Sequence, residues 1–347
     1  MNTNIDAITL TLRKTLKDLC LQPGISMHES TSGIVALVIE LCKKCGADSV
    51  EIDADGNVVA TVGTGPLTIL LEAHLDEVGF EVLEVREDGV VILSACGTVR
   101  GENIDGSEAY IVRTGATGAL SFEPQGENIL FLPSLPNAEI VPGDLVSFKR
   151  NFIEADGVIR ATALDNRIGC AVLLETLREC KAALPKDMRL VCVFSLEEET
   201  SNTSVKAVVQ KYSPDLFVVV DAAYASPVDF EVHEPEESIP LLGDGCAIQH
   251  KGVGFAVSPQ KIAALERIAS EQGIHIQRES VEGSRGRTNF TAFLAAGTDA
   301  GIVLNVPVQS QHRDISTTNP DDAAGAVALL LAIVGRQEYV QSLIVAR

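Results

Sequence analysis

Seven side chains in this sequence have the types and spacing to hold metal ions and move a proton: His74, Asp76, Asp165, Glu198, Glu199, Asp221 and His312. All are imidazoles or carboxylates, with no thiolate among them. Such hard or borderline donors suit Zn²⁺, Co²⁺ or Mn²⁺. Residues two apart in an extended segment point the same way. Asp76 can therefore hydrogen-bond one imidazole nitrogen of His74 and aim the other at a metal. Five ligands are about the number that two ions sharing one carboxylate require, and two ions roughly 3.5–4 Å apart can polarise a carbonyl and hold a hydroxide between them. A carboxylate beside the ions but off them then shuttles the proton. Glu198 and Glu199 adjoin at a predicted strand end, where neighbours point to opposite sides, so one can ligate while the other acts as base. Each group has a plainer reading when taken singly. An Asp before a helix is an ordinary N-cap. The run Glu197–Glu199 reads as a solvated face, and HLDE at 74–77 as a strand-to-loop turn. Only convergence on one place favours the chemistry.

Convergence requires particular elements. Leu67 to Ala73 (LTILLEA) is a short apolar run, as in a strand buried on both faces, and His74, Asp76 and Glu77 follow its carboxyl end. Ligands of open α/β sheets bind just outside the carboxyl ends of the strands. Arg189–Leu196 predicts a strand running into Glu197, Glu198 and Glu199. Leu216–Val220 predicts one ending in Asp221, and Ile302–Val308 one leading to His312. Asp165 falls between a strand (VIRATALD) and a helix opening at Asn166, which Pro185 must end.

Further helices are predicted over Asp6–Leu21, and from a Thr31 or Ser32 cap through IVALVIELCKKC to Gly46. Another follows the Glu run to about Tyr212. Ser258 and Pro259 open one closed at Gly273, and Asn319 and Pro320 start the last long helix. Strands at Ser49–Ile52 and Asn57–Val62 turn at Asp55 and Gly56. From Phe80 to Arg160 the pattern changes to short alternating runs (EVLEV, VVILSA, EAYIVRT, ILFLP, DLVSFKR) between glycine, proline and acidic turns, without a helix. That predicts a small all-β barrel inserted into an α/β domain. The predicted organisation is residues 1–79 and 160–347 as one catalytic α/β domain, with 80–159 as the inserted barrel.

A chain of 347 residues exceeds what one core usually grows to hold, and 46% hydrophobic residues allow a substantial interior. The 48 acidic and 27 basic side chains leave a net charge of −21. That argues against nucleic acid, which calls for a basic stripe, and against anionic membrane surfaces. The longest apolar stretch, Ala323–Val334, is too short to span a bilayer, and the charged, amphipathic N-terminal segment predicts no secretory signal. Eight scattered cysteines fit a reducing cytosol, so a cytoplasmic location is expected. Cys42 and Cys45 have C-x-x-C spacing, but no second pair exists, and the signal is weak.

The segments AHLDEVGF (73–80), TALDNRIG (162–169), VFSLEEE (193–199), VVVDAA (218–223), LGDGCAI (242–248), GTDAG (297–301) and VPVQSQH (306–312) resemble, in order and spacing, the TET-type aminopeptidases. These are dinuclear-zinc glutamyl or deblocking aminopeptidases that form tetrahedral particles. The resemblance covers nearly all of residues 60–335 and includes the position of the β insert. It implies a zinc-peptidase-like α/β/α sandwich with a mixed sheet and a barrel used for dimerisation or as a lid. It also implies two divalent ions per chain, with Asp165 bridging them. His74 and Asp221 would complete one site, Glu199 and His312 the other. Asp76 would orient His74, and Glu198 would be the general base. The register of the Glu run leaves Glu197 as the alternative base. The substrates implied are peptides with a free N-terminus, and the implied assembly is a homo-oligomer, from a dimer up to a tetrahedral dodecamer.

Two segments depart from the family pattern. Thr200 to Ser204 replace the usual Val-Gly-Leu-Arg-Gly-Ala, and Gln309 and Ser310 replace an Arg and a Tyr before the last His. The second change predicts a weaker preference for acidic first residues. The altered flanks also leave room for a non-catalytic relative that keeps its metals for structure or regulation. Glycoside hydrolysis fits poorly, because it usually needs two carboxylates and no metal pair.

Overall fold

The computed structural model describes residues 5–135, 138–201, 205–228, 230, 232, 238–281, 287–298 and 300–346. Helix α1 (Ile5–Cys20) buries Ile8, Leu12, Leu16 and Leu19, one stripe at helical spacing. Helix α2 (Ile34–Lys44) follows. Its N-cap position is Gly33 at φ +82°, one residue past the expected start. The Ser32 hydroxyl donates to the Glu29 carbonyl at 2.8 Å. Strands β1 (Ser49–Ile52), β2 (Val58–Val62) and β3 (Leu67–His74) come next, and seven of the eight β3 residues are buried in succession. Both faces of β3 are therefore covered.

The chain then leaves the sheet. Strands β4 (Gly79–Val85), β5 (Val91–Cys96), β6 (Glu108–Ile111), β7 (Thr117–Glu123), β8 (Asn128–Pro133) and β9 (Leu145–Phe148) close a barrel in the order β4-β5-β8-β7-β6-β9. Its core includes Phe80, Ile104, Phe131 and Phe148, and the rings of Phe80 and Phe148 meet edge to face at 5.5 Å. The expectation of no helix here needs correction. One turn, α3 (Gly101–Ile104), follows β5. A Cβ on Gly101 would stand 2.1 Å from the Phe122 ring, so this turn packs on β7 only with glycine there.

After β10 (Phe152–Ala155) and β11 (Val158–Ala161) comes α4 (Leu164–Cys180), then β12 (Met188–Ser195), α5 (Lys206–Tyr212) and β13 (Leu216–Tyr224). The remainder is β14 (Cys246–Gly252), β15 (Phe255–Ala256), α6 (Pro259–Gln272), β16 (Ile276–Ser280), α7 (Phe290–Ala295), β17 (Gly301–Gln309), β18 (Ser316–Thr318), α8 (Pro320–Val334) and α9 (Gln337–Val345). Ser258 and Asn319 cap α6 and α8 as the sequence predicts, and Gly273 closes α6 at φ +67°. The large sheet runs β1-β2-β12-β3-β13-β17-β18-β11-β10, with β14 joined to β17, β15 and β16. Strands β12, β3, β13 and β17 are mutually parallel. Strand β18 is antiparallel to β17 and β11 antiparallel to β18, so β11 runs with the parallel set. Helices α1, α4 and α8 pack on one another beside this sheet. The architecture is the mixed-sheet α/β sandwich with an inserted closed barrel. No single helix among the described residues is long and apolar enough to cross a membrane.

An ion cluster ties barrel to sheet. Glu77, between β3 and β4, accepts from Arg150 Nη1 at 2.7 Å and from the Gly24 N–H at 2.6 Å. Arg167 of α4, fully buried, brings Nη2 to 3.7 Å from the same carboxylate. Burial opposes the charge on Glu77, but Arg150 and Arg167 hold its carboxyl below the usual range. Glu77→Gln would leave two buried guanidiniums without a counter-charge. The expected cost is about 3–5 kcal/mol, read as a lowered midpoint in urea with an unchanged slope. A cost under about 1 kcal/mol, the range of surface pairs, would show that the cluster does not hold barrel and sheet together.

Candidate metal centre

The predicted residues meet at the carboxyl edge of the parallel strands. His74 ends β3, and Asp221 is the sixth residue of β13, which runs on to Tyr224 rather than ending there. His312 lies three residues beyond β17 at φ +57°. Asp165 lies inside the first turn of α4, where it and Asn166 have non-helical backbone angles and share a cis peptide bond. The plain N-cap role falls to Asn166 instead. Its Oδ1 accepts from the Gly169 N–H at 3.0 Å, and its Nδ2 donates to the Val220 carbonyl at 2.8 Å. A Cβ on Gly169 would lie 2.3 Å from that Oδ1. Capping by Asn166 leaves the Asp165 carboxylate free for the cavity.

His74 is 3% exposed; its Nε2 lies 3.2 Å from Asp165 Oδ1 and 3.4 Å from Asp221 Oδ1. His312, at 24%, places Nε2 3.4 Å from Asp165 Oδ2 and 3.3 Å from Glu199 Oε1. The donor atoms form two groups, His74–Asp165–Asp221 and Asp165–Glu199–His312, each spanning no more than 4.8 Å and sharing Asp165. Glu198 is buried beside them and belongs to neither. Asp76 Oδ1 stands 3.4 Å from His74 Nδ1, behind the ring.

The Glu pair is not a strand end. Strand β12 stops at Ser195, and Glu197 turns the chain at φ +62°. Asp76 anchors that turn: its two carboxylate oxygens accept from the N–H groups of Glu198 at 3.1 Å and Glu199 at 3.0 Å. The two residues sit on this turn and not at a strand end, and only Glu199 belongs to a donor group.

Charge in the centre is poorly balanced. Burial pushes the carboxyls of Glu199 and Asp221 up, and that of Glu198 well up. Asp165 stays low against its own burial because His312 and His74 bond to it. Burial would lower the imidazole of His74, yet Asp221, Asp165 and Asp76 hold it well above the usual range. Glu199 and Asp165 do the same for His312. A carboxylate-rich, buried centre that keeps protons on two imidazoles suits divalent cations in place of those protons.

A cavity of about 190 Å³ opens over these groups. Thr98, Arg100 and Asn103 of the barrel line one part of it, and Tyr224, Phe230 and Arg287 another. Sequence reasoning missed all six. Gln309 and Ser310 are not among the described residues that line it, and Gln309 donates instead to the Ser226 carbonyl. Among the described residues, the arginines that line this wall are Arg100 and Arg287. Of the altered segment after the Glu pair, residues 202–204 lie outside the described residues.

The sequence profile of the M42 glutamyl aminopeptidase family matches residues 56–125 and 135–329. The chain belongs to this family. A glutamyl aminopeptidase of Lactococcus lactis is 27% identical over 313 residues, covering 82% of this chain and 85% of its own. Among solved structures, an aminopeptidase of the archaeon Desulfurococcus kamchatkensis superposes with a TM-score of 0.84 at 23% identity, covering 96% of this chain and 98% of its own. The TET1 peptidase of Pyrococcus horikoshii, described as assembling into a tetrahedron or a large octahedral shell, gives 0.77 at 22% identity over 93% and 99%. The M42 match spans every residue of the two donor groups.

Proposed function

We propose that this M42 member is a metal-dependent aminopeptidase that removes residues one at a time from the free N-terminus of peptides. The position of Asp165 carries the reading, with one carboxylate oxygen toward each histidine. Asp165 would be shared by two divalent ions, Zn²⁺, Co²⁺ or Mn²⁺. His74 and Asp221 would help hold one, Glu199 and His312 the other. When bound, such a pair polarises the scissile carbonyl and acidifies a water. Glu198 accepts the proton of that attacking water and delivers it to the leaving amine nitrogen. Asp76 sets the His74 ring and, through two backbone N–H groups, the Glu198–Glu199 turn.

The chain end is read by charge. A free α-ammonium is drawn to a cavity lined by Glu198, Glu199 and Asp221. An N-acetyl group loses that attraction and adds bulk. A panel of free peptides and their N-acetyl counterparts, followed by mass spectrometry with added Zn²⁺ or Co²⁺, tests this. The free set is expected to lose single N-terminal residues and the acetylated set to persist. Internal cleavage of the acetylated set at similar rates would overturn the exopeptidase reading.

Assembly into a homo-oligomer belongs to the same proposal, with a dimer as the smallest unit and the barrel, residues 80–159, at the interface. Leu83, Val85, Leu132, Leu135 and Val141 are exposed on and beside its strands, a grouping that suits association.

A further inference from the structure

The two halves of the candidate centre are held by different parts of the fold. His74 and Asp221 stand on adjacent strands of the sheet interior, β3 and β13. Glu199 and His312 stand on turns, and a barrel loop reaches both. In that loop, directly after β5, the Thr98 carbonyl lies 2.6 Å from His312 Nδ1. A carbonyl only accepts, so Nδ1 carries a hydrogen, and Nε2 is the nitrogen that would give its proton up to a cation between Asp165 and Glu199. Gly97 packs on the second ligand. It sits at φ +95°, and a Cβ there would stand 3.1 Å from Glu199 Cβ and 2.8 Å from Val78 Cγ1. Farther along, Asn103 Oδ1 accepts from Arg313, the neighbour of His312, at 2.9 Å. Among the described residues, no barrel side chain or carbonyl has a hydrogen bond to His74 or Asp221.

Resting on the two-ion reading above, we propose that the barrel loop Gly97–Asn103 is a positioning element for the Glu199–His312 site alone. Docking of the barrel sets the affinity of one ion and leaves the other to the sheet. The consequence is an enzyme whose two metal affinities can be separated by a change that replaces no ligand.

Metal-free, full-length protein titrated calorimetrically with Zn²⁺ or Mn²⁺, with elemental analysis after desalting, tests the proposal. In Gly97→Ala, one ion is expected to bind within about twofold of the parent while the other weakens about 10–100-fold, the range for lost outer-shell support. Gly89→Ala is the matched control: Gly89 also has positive φ (+85°) on the barrel, but a Cβ there meets nothing within 4 Å. It should bind both ions as the parent does. Adding His312→Ala to Gly97→Ala should weaken only the ion already lost, whereas adding His74→Ala should remove the remaining one. Should Gly97→Ala not fold, Asn103→Ala, which removes an acceptor of Arg313, is expected to give the same selective loss on a smaller scale. Equal weakening of both ions, no weakening, or selective loss of the His74 ion would overturn the proposal. A parent protein that binds fewer than two ions would instead overturn the two-ion reading, a result visible before any variant is made.

Discussion

Glu198→Gln is expected to hold both ions and to lose turnover by about 10²–10⁴-fold, the contribution of a positioned general base. Glutamine keeps the shape of the side chain and removes only its capacity to take a proton. Glu198 is 9% exposed and lies outside both donor groups, so neither ion depends on it. Its carboxyl is pushed well above the ordinary range, first by burial and then by the nearby charges of Asp221, Glu199 and Asp76. A raised value suits a base that must accept a proton and release it within each cycle. The measurements are elemental analysis and kcat on an aminoacyl anilide, with the substrate saturating. Loss of an ion in this variant would mean that Glu198 is a ligand and would move the base to Glu197. Against that outcome, the Glu197 carboxylate accepts from the Ser201 hydroxyl at 3.1 Å and does not line the cavity.

Asp165→Asn should weaken both ions at once, each by more than the 10–100-fold typical of losing an outer partner. The two oxygens face different histidines, at 3.2 and 3.4 Å. An amide offers one neutral oxygen where the carboxylate offers two charged ones. His312→Ala, by contrast, should affect one ion only. Calorimetric titration of the metal-free variants separates these outcomes. One ion retained by Asp165→Asn at parental affinity would show that the carboxylate serves a single site.

Much of this centre was legible because it obeys local rules. Buried parallel strands read as unbroken apolar runs, and they deliver His74 and Asp221 to one edge whatever the loops do. Ser258, Asn319 and Gly273 mark helix ends by chemistry that needs no tertiary context. Asp165 was ambiguous for a physical reason: an Asp at a helix start can cap or ligate, and only the Asn166–Gly169 hydrogen bond shows which residue caps. The Glu pair sits on a turn and not at a strand end. That turn is pinned by Asp76 across 122 residues of chain, and no local pattern encodes that. The one-turn helix at Gly101 was hidden because its stability comes from packing on Phe122, not from its own four residues. The barrel side of the cavity left no trace at all. Thr98 acts through its carbonyl, which every amino acid possesses.

That last feature divides the labour of change within the family fold. Since the Thr98 carbonyl is common to all residue types, natural selection can exchange the side chain at 98 without disturbing His312. The same loop carries Arg100 on the cavity wall. The wall can therefore change at 98 and 100 while the backbone carbonyl that meets His312 stays as it is. Gly97, fixed by its left-handed backbone and by Glu199, is the point in the loop where that freedom ends.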